Sequence, residues 1–173
     1  MSIADSPALI VQRWMIDIAL LGVDPEVDTV SDYPVYISQL PDAKEIKDRA
    51  IAVYDTGGTT EGRIQSTGET IEHFTLQIRI RDNSYDIGYA KASAIAEALD
   101  LVNKDVIVIG LISYTIFSAN RSPIIPLGPE FDKRRRHGFT INVLATIAPQ
   151  DVDNPVLDNL VLWLDASILG SLS

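Results

Sequence analysis

The sequence predicts an α+β fold: a mostly antiparallel sheet with two principal helices, plus a C-terminal extension. In segments 7–21 and 84–102, apolar residues recur at the spacing of one helical face. In segments 72–82 and 137–147, apolar and polar residues alternate, which is typical of a strand with one buried face. The order of these helices and strands is that of an α+β domain with both helices on one face of the sheet.

The first part of the chain predicts a helix, two short strands and a long loop. Ser6 is a suitable N-cap for the first helix, and Gly22 a suitable C-cap glycine. Segments 33–40 and 50–54 predict strands. Residues 55–70 are rich in glycine, threonine and charge, which predicts a polar loop. Because long polar loops inside a domain are usually functional or mobile, we expect this loop to contact a partner.

The second part predicts the centre of the sheet. Strand 72–82 should place four apolar residues on one face: Phe74, Leu76, Ile78 and Ile80. Ser84 is a suitable cap for the helix that follows. Segments 105–110 and 111–121 predict two strands or one strand bent at its glycine, and 122–136 predicts a loop rich in proline and glycine.

The chain divides into a domain, residues 1–148, and an acidic and apolar arm, residues 149–173, which we call the C-terminal arm. The arm contains four aspartates and no lysine or arginine. Its apolar residues recur at helical spacing, and a short strand over 160–164 is the alternative. Because the arm is too apolar to stay in water, we expect residues 155–169 to dock on a neighbouring copy or a neck partner. Docking on its own domain is the alternative.

Composition argues against several functions. The 173 residues carry a net charge of −10, which argues against general affinity for nucleic acid or an anionic membrane. The absence of cysteine excludes disulfides, thiol catalysis and cysteine-ligated metals. No apolar run approaches the roughly 18 residues that a membrane span needs, and no signal peptide is expected. No sequence pattern predicts a metal or a cofactor.

One short motif favours an enzyme. Asp55-Thr56-Gly57 follows an apolar run and resembles the signature of aspartic proteases, in which two aspartates share a proton. That family is all-β, whereas a helical pattern follows here, and three-residue motifs often match by chance. The two histidines, His73 and His137, have no partner at catalytic spacing. No catalytic residue is therefore predicted, and an Asp55 protease remains a less favoured alternative.

The residues predicted to contact other proteins fall into three groups. The basic run 133–136 is either a solvated flank of the last strand or a contact for an acidic partner, and another copy of this acidic chain is a natural candidate. The predicted interface comprises Gly57, Gly58, Arg63 and Ile64 in the loop, Arg134, Arg135 and Arg136 in the basic run, and Leu157, Leu160, Trp163 and Leu164 in the C-terminal arm.

The element order up to Ile147 resembles that of the tail terminator proteins of long-tailed bacteriophages, also called tail completion or minor capsid proteins. The resemblance lies in the order and pattern of elements rather than in a catalytic signature. The segments that carry it are Pro7–Leu21, Val35–Leu40, Leu76–Arg81, Tyr85–Leu99, Ser113–Arg121, Ser122–Gly128 and Gly138–Val143.

The resemblance implies a structural virion protein rather than an enzyme. Such a protein forms a ring, hexameric in the family, at the head-proximal end of the tail tube, where it ends tube growth and joins the tail to the neck. The implied partners are other copies, the tail tube protein and a neck or connector protein. Genomic DNA would pass through the lumen without specific binding. The implied location is the virion, and the host cytoplasm during assembly. Another ring-forming head-tail connector protein is the main alternative.

Overall fold

The computed structural model describes residues 3–18, 33–42, 48–63, 70–129 and 134–149. Within these ranges the chain forms two helices and seven strands. Their bounds are α1 Pro7–Asp17, β1 Val35–Ile37, β2 Ala50–Arg63, β3 Thr70–Asp82, α2 Tyr85–Leu101, β4 Asp105–Ile109, β5 Ile112–Arg121, β6 Ile125–Pro129 and β7 His137–Pro149.

All seven strands belong to one sheet with the order β1-β2-β3-β7-β5-β4, and β6 also pairs with β7. The β1–β2 pair is parallel, and the other pairs are antiparallel. β3 pairs with β7 along nearly its whole length, from Glu72 opposite Ile147 to Asp82 opposite His137. The α+β prediction, with a mostly antiparallel sheet and β3 near its centre, is confirmed.

The largest correction concerns the predicted polar loop. Residues 55–63 are strand, because β2 continues to Arg63 and pairs with β3. A β-bulge between Asp55 and Gly57 absorbs the local irregularity, and Gly57 adopts a φ of 145°. Backbone hydrogen bonds to β3 outweigh the low strand propensity of the two adjacent glycines. Residues 64–69, between the two strands, lie outside the described residues.

Three smaller corrections concern two element ends and one strand that the sequence did not predict. Helix α1 ends at Asp17 instead of Leu21, and the proposed C-cap Gly22 lies outside the described residues. β1 stops at Ile37 because Ser38 turns the backbone to a φ of 58°. The loop predicted over 122–136 contains β6, which pairs with the start of β7. The proline and glycine residues of this segment favour a loop, so the sequence pattern did not predict this strand.

The two alternatives for segment 105–121 are also decided. β4 and β5 form an antiparallel hairpin in which Ile109 pairs with Ile112. The turn consists of Gly110 and Leu111, and Gly110 has a φ of 61°, which favours glycine. The chain therefore reverses here instead of bending as one strand.

Both helices contribute to a single hydrophobic core. Leu76, Ile78 and Ile80 are almost completely buried, as predicted, and Phe74 is partly buried against the same core. Helix α2 packs closely because Gly88 has no side chain. A Cβ at Gly88 would lie 2.6 Å from a ring carbon of Phe139, too close for any other residue without movement.

The start of α2 is held differently from the prediction. Ser84 occupies the N-cap position, but its side chain makes no capping hydrogen bond. Instead the buried carboxylate of Asp82 accepts the backbone N–H of Ser84 at 2.8 Å. The same carboxylate accepts the hydroxyl of Tyr33 and forms an ion pair with Arg49 at 3.2 Å. Asp82 therefore joins the end of β3 to the start of α2.

Helix α1 connects the two ends of the curled sheet. The amide of Gln12 donates to the carbonyl of Val35 on β1 at 2.5 Å. The indole N–H of Trp14 donates to the carboxylate of Asp105 on β4 at 2.7 Å. Because β1 and β4 are the first and last strands of the order, these two bonds hold the sheet around one helix.

Candidate functional site

Asp55, the residue of the protease-like motif, stabilises the start of α1. Its carboxylate accepts the backbone N–H of Ala8 at 2.9 Å, and the hydroxyl of Ser6 accepts the N–H of Leu9 at 3.2 Å. The first helical residue, Pro7, has no N–H to satisfy. Partial burial raises the pKa of the Asp55 carboxyl, and the hydrogen bond from Ala8 opposes this in part. Asp55 therefore has a structural role, because it satisfies a backbone N–H in the first turn of α1.

We expect Asp55→Asn to fold as stably as the parent at pH 7, because the amide oxygen still accepts the N–H of Ala8. Asp55→Ala should lose about 1 kcal/mol, the usual cost of a lost helix cap. Because the folded pKa is raised above the ordinary 3.8, the stability from the protonated carboxyl is complete below 3.8 and is lost as pH rises through the folded pKa. The asparagine variant should lack this dependence. Denaturant unfolding below pH 3.8 and at pH 7 measures this pH dependence. If the asparagine variant loses as much stability as the alanine variant, Asp55 does not cap the helix.

The basic run meets acidic residues of its own chain. The guanidinium of Arg136 is 1% exposed and donates to the carboxylate of Asp42 at 2.5 Å. Arg134 pairs with Asp48 at 3.3 Å. Arg135, in contrast, is exposed and has a φ of 51°. An intermolecular contact by this run therefore stays a prediction, now centred on Arg135.

Sequence reasoning missed the buried arginine beside this run. The alternation along strand 72–82 predicts that Arg81 lies on the face opposite Ile78 and Ile80, with the polar residues, but it is 2% exposed. It donates to the backbone carbonyls of Pro41 and Asp48 and lies 3.9 Å from Asp42. Its two carbonyl partners lie 40 and 33 residues away in sequence, so no local pattern reports them.

The remaining predicted interface residues lie on the β2–β3 hairpin or outside the described residues. Gly57 and Gly58 lie on β2, and a Cβ at Gly58 would come within 2.7 Å of the carbonyl oxygen of His73. Arg63 is the last residue of β2. Ile64 lies outside the described residues. The same holds for the whole arm beyond Pro149, including its four predicted interface residues.

Two clusters of exposed apolar side chains emerge only from the structure. The first, the α2–β6 rim, comprises Tyr85 and Tyr89 on α2 and Ile125 and Leu127 on β6. The Tyr85 ring packs against Phe139 and His137 at the start of β7, with centroids 5.3 and 5.6 Å apart. β6 pairs with the same part of β7. Exposed apolar clusters of this kind often mark protein interfaces.

The second cluster, the β4–β5 face, comprises Val106, Val108, Leu111 and Phe117. Val108 is 60% exposed and Leu111, in the turn, is 98% exposed. Among the described residues β4 pairs only with β5, so the other edge of β4 is unpaired. An edge strand with an apolar outer face promotes unwanted pairing unless something covers it.

Other kinds of site find no support in the described ranges. No group of three or more histidine, aspartate or glutamate side chains there is placed to hold a metal ion. No helix in the same ranges combines the length and apolar character needed to cross a membrane.

A curled α+β sheet with exposed apolar surfaces is typical of a subunit that assembles with other proteins. The chain belongs to the bacteriophage tail terminator protein family, whose model matches residues 15–143. It is therefore a structural component of the phage tail and associates with other tail and virion components.

Among solved structures, one similar chain is 14% identical over 83% of this chain and 96% of its own length, with a TM-score of 0.44. Another comes from the virion of a native gene transfer agent particle. It is 15% identical over 84% of this chain and 98% of its own length, with a TM-score of 0.41. No curated protein matches this chain in sequence.

Proposed function

We propose that this protein forms a six-membered ring at the head-proximal end of the tail tube. There it ends tube growth and joins the tail to the neck or connector protein. The observation that carries the proposal is the match of the tail terminator family to residues 15–143. The protein acts without enzymatic activity, first in the host cytoplasm and then in the virion.

The shape of the subunit supports a ring. Closed rings form through heterologous contacts, which need two different surfaces on each subunit. The α2–β6 rim lies on one side of the β3–β7 pair, and β2 lies on the other. β1 pairs with β2 only at residues 51–53, so the outer edge of the hairpin beyond them is open within the described chain. We assign the ring contact to the rim of one subunit and the β2–β3 hairpin of the next, with Arg135 as a further contact.

The charge of the chain suits passage of DNA. A net charge of −10 per subunit multiplies around a ring and repels a phosphate backbone. Genomic DNA would then slide through the lumen without specific binding. Duplex DNA bound tightly by the isolated protein would contradict this role.

The test compares a variant in the rim with a variant at an exposed leucine outside the rim. Leu127→Ser, at a rim position that is 56% exposed, should leave the monomer melt unchanged but weaken ring association about tenfold, because a few central interface residues supply most of the binding energy. Leu101→Ser, the same substitution at the C-terminal end of α2 where the leucine is 80% exposed, is the control that should assemble normally. Sedimentation measures assembly, and electron microscopy measures tail length in phage carrying each variant.

Three outcomes would contradict the proposal. A parent protein that stays monomeric at every concentration would exclude the ring. A ring of twelve subunits in class averages would favour the alternative, another head-tail connector protein. Tails of normal length in phage that lack this protein would exclude a role in ending tube growth.

A further inference from the structure

The β4–β5 face needs a cover that the described residues do not supply. Its outer side chains alternate with the buried Ile107, so Val106 and Val108 point away from the core. On β5 their partners are Thr115 and Ser113, which add little apolar cover. The combination of an unpaired strand edge and exposed valines is one that natural proteins usually cover or charge.

The end of β7 brings the rest of the chain to this face. Pro149 pairs with Tyr114 on β5, and Tyr114 pairs with Ile107 on β4. Adjacent strands lie about 4.8 Å apart, and β5 lies between the end of β7 and β4. Pro149 is therefore about 10 Å from β4. The eight residues from Pro149 to Leu157 span up to about 26 Å when extended, which is ample for this distance.

We propose that the apolar part of the C-terminal arm, residues 156–164, covers the β4–β5 face of its own chain. This segment supplies four apolar side chains that can pack on the exposed Val106, Val108 and Phe117, namely Leu157, Leu160, Trp163 and Leu164. A short tether keeps the arm at about millimolar effective concentration near this face, well above any neighbouring copy in dilute solution. The sequence alone favoured a neighbouring copy, and the position of Pro149 changes the preference to the same chain.

The 173 residues contain no cysteine, which permits a direct test with introduced cysteines. Val108→Cys and Leu160→Cys, combined in one chain, should be joined by a short bismaleimide within the monomer. At about micromolar protein, a millimolar effective concentration favours the intramolecular product about a thousandfold over links between chains. The yield should not change with protein concentration. Tyr89→Cys with Leu160→Cys is the control, since Tyr89 belongs to the α2–β6 rim, and it should give no such product.

Two results would overturn the proposal. If a mixture of the two single-cysteine chains gives linked dimers and the double variant gives no monomer link, a neighbouring copy covers the face. If Val108→Cys reacts freely with maleimide but never links to Leu160→Cys, the arm does not cover the β4–β5 face. The product is measured in the monomer fraction, so the result is independent of whether rings form.

A second measurement covers the case in which a cysteine disturbs the arm. Val108→Asp and Leu160→Asp should each lower the melting temperature of the monomer. The loss of melting temperature in the double variant should be smaller than the sum of the losses in the two single variants, because each single variant already breaks the shared contact. Strictly additive losses would show that the two residues do not touch.

Discussion

Ile78→Ala should lower the free energy of unfolding by about 2–5 kcal/mol, the usual range for a fully buried isoleucine cut to alanine. Ile78 is 0% exposed and lies on β3 between Val53 of β2 and Ile141 of β7, both also buried. The substitution leaves a cavity at the centre of the sheet that these strands cannot close without moving. Denaturant unfolding of the monomer, monitored by circular dichroism, gives the value.

The matched control is Ile87→Ala. Ile87 is the same residue type, but it is 45% exposed on α2, and alanine is a better helix former. Its loss should stay below about 1 kcal/mol. A loss below about 1 kcal/mol at Ile78 as well would show that β3 is not at the centre of the core.

Arg136→Glu should destabilise the monomer by about 3–5 kcal/mol, the range for leaving an uncompensated charge in a buried position. The new carboxylate would be buried opposite Asp42, which is itself 64% exposed. Arg136→Met should lower stability less, because it removes the buried charge and the exposed carboxylate of Asp42 stays solvated. Thermal and denaturant unfolding of the three proteins would rank them as parent, methionine variant and glutamate variant in falling stability.

The neighbouring arginine provides the control. Arg135 is exposed, so Arg135→Glu should change stability by no more than about 0.5 kcal/mol. The same variant should weaken ring association if Arg135 contacts an acidic neighbour, most clearly at low salt, where screening is least. Equal destabilisation by the two glutamate variants would contradict the buried position of Arg136.

Local periodicity was sufficient for the long elements. The helical spacing over 84–102 predicted α2, and alternation predicted β3 and β7 to within two residues at most ends. These patterns report the direction in which each side chain must point to be buried, which is a property of neighbouring residues alone. The same element order carried the resemblance to tail terminator proteins, which the family match confirms.

Contacts between distant parts of the chain decided the rest. Residues 55–63 are strand because β3 supplies hydrogen bonds, although the glycines there favour a loop. The buried Arg136 pairs with Asp42, which lies 94 residues away, so no local pattern reports this contact. The assembly surfaces followed the same rule. An apolar side chain such as Tyr89 or Val108 stays exposed only where no other element packs on it. The sequence by itself does not say which elements pack on each other.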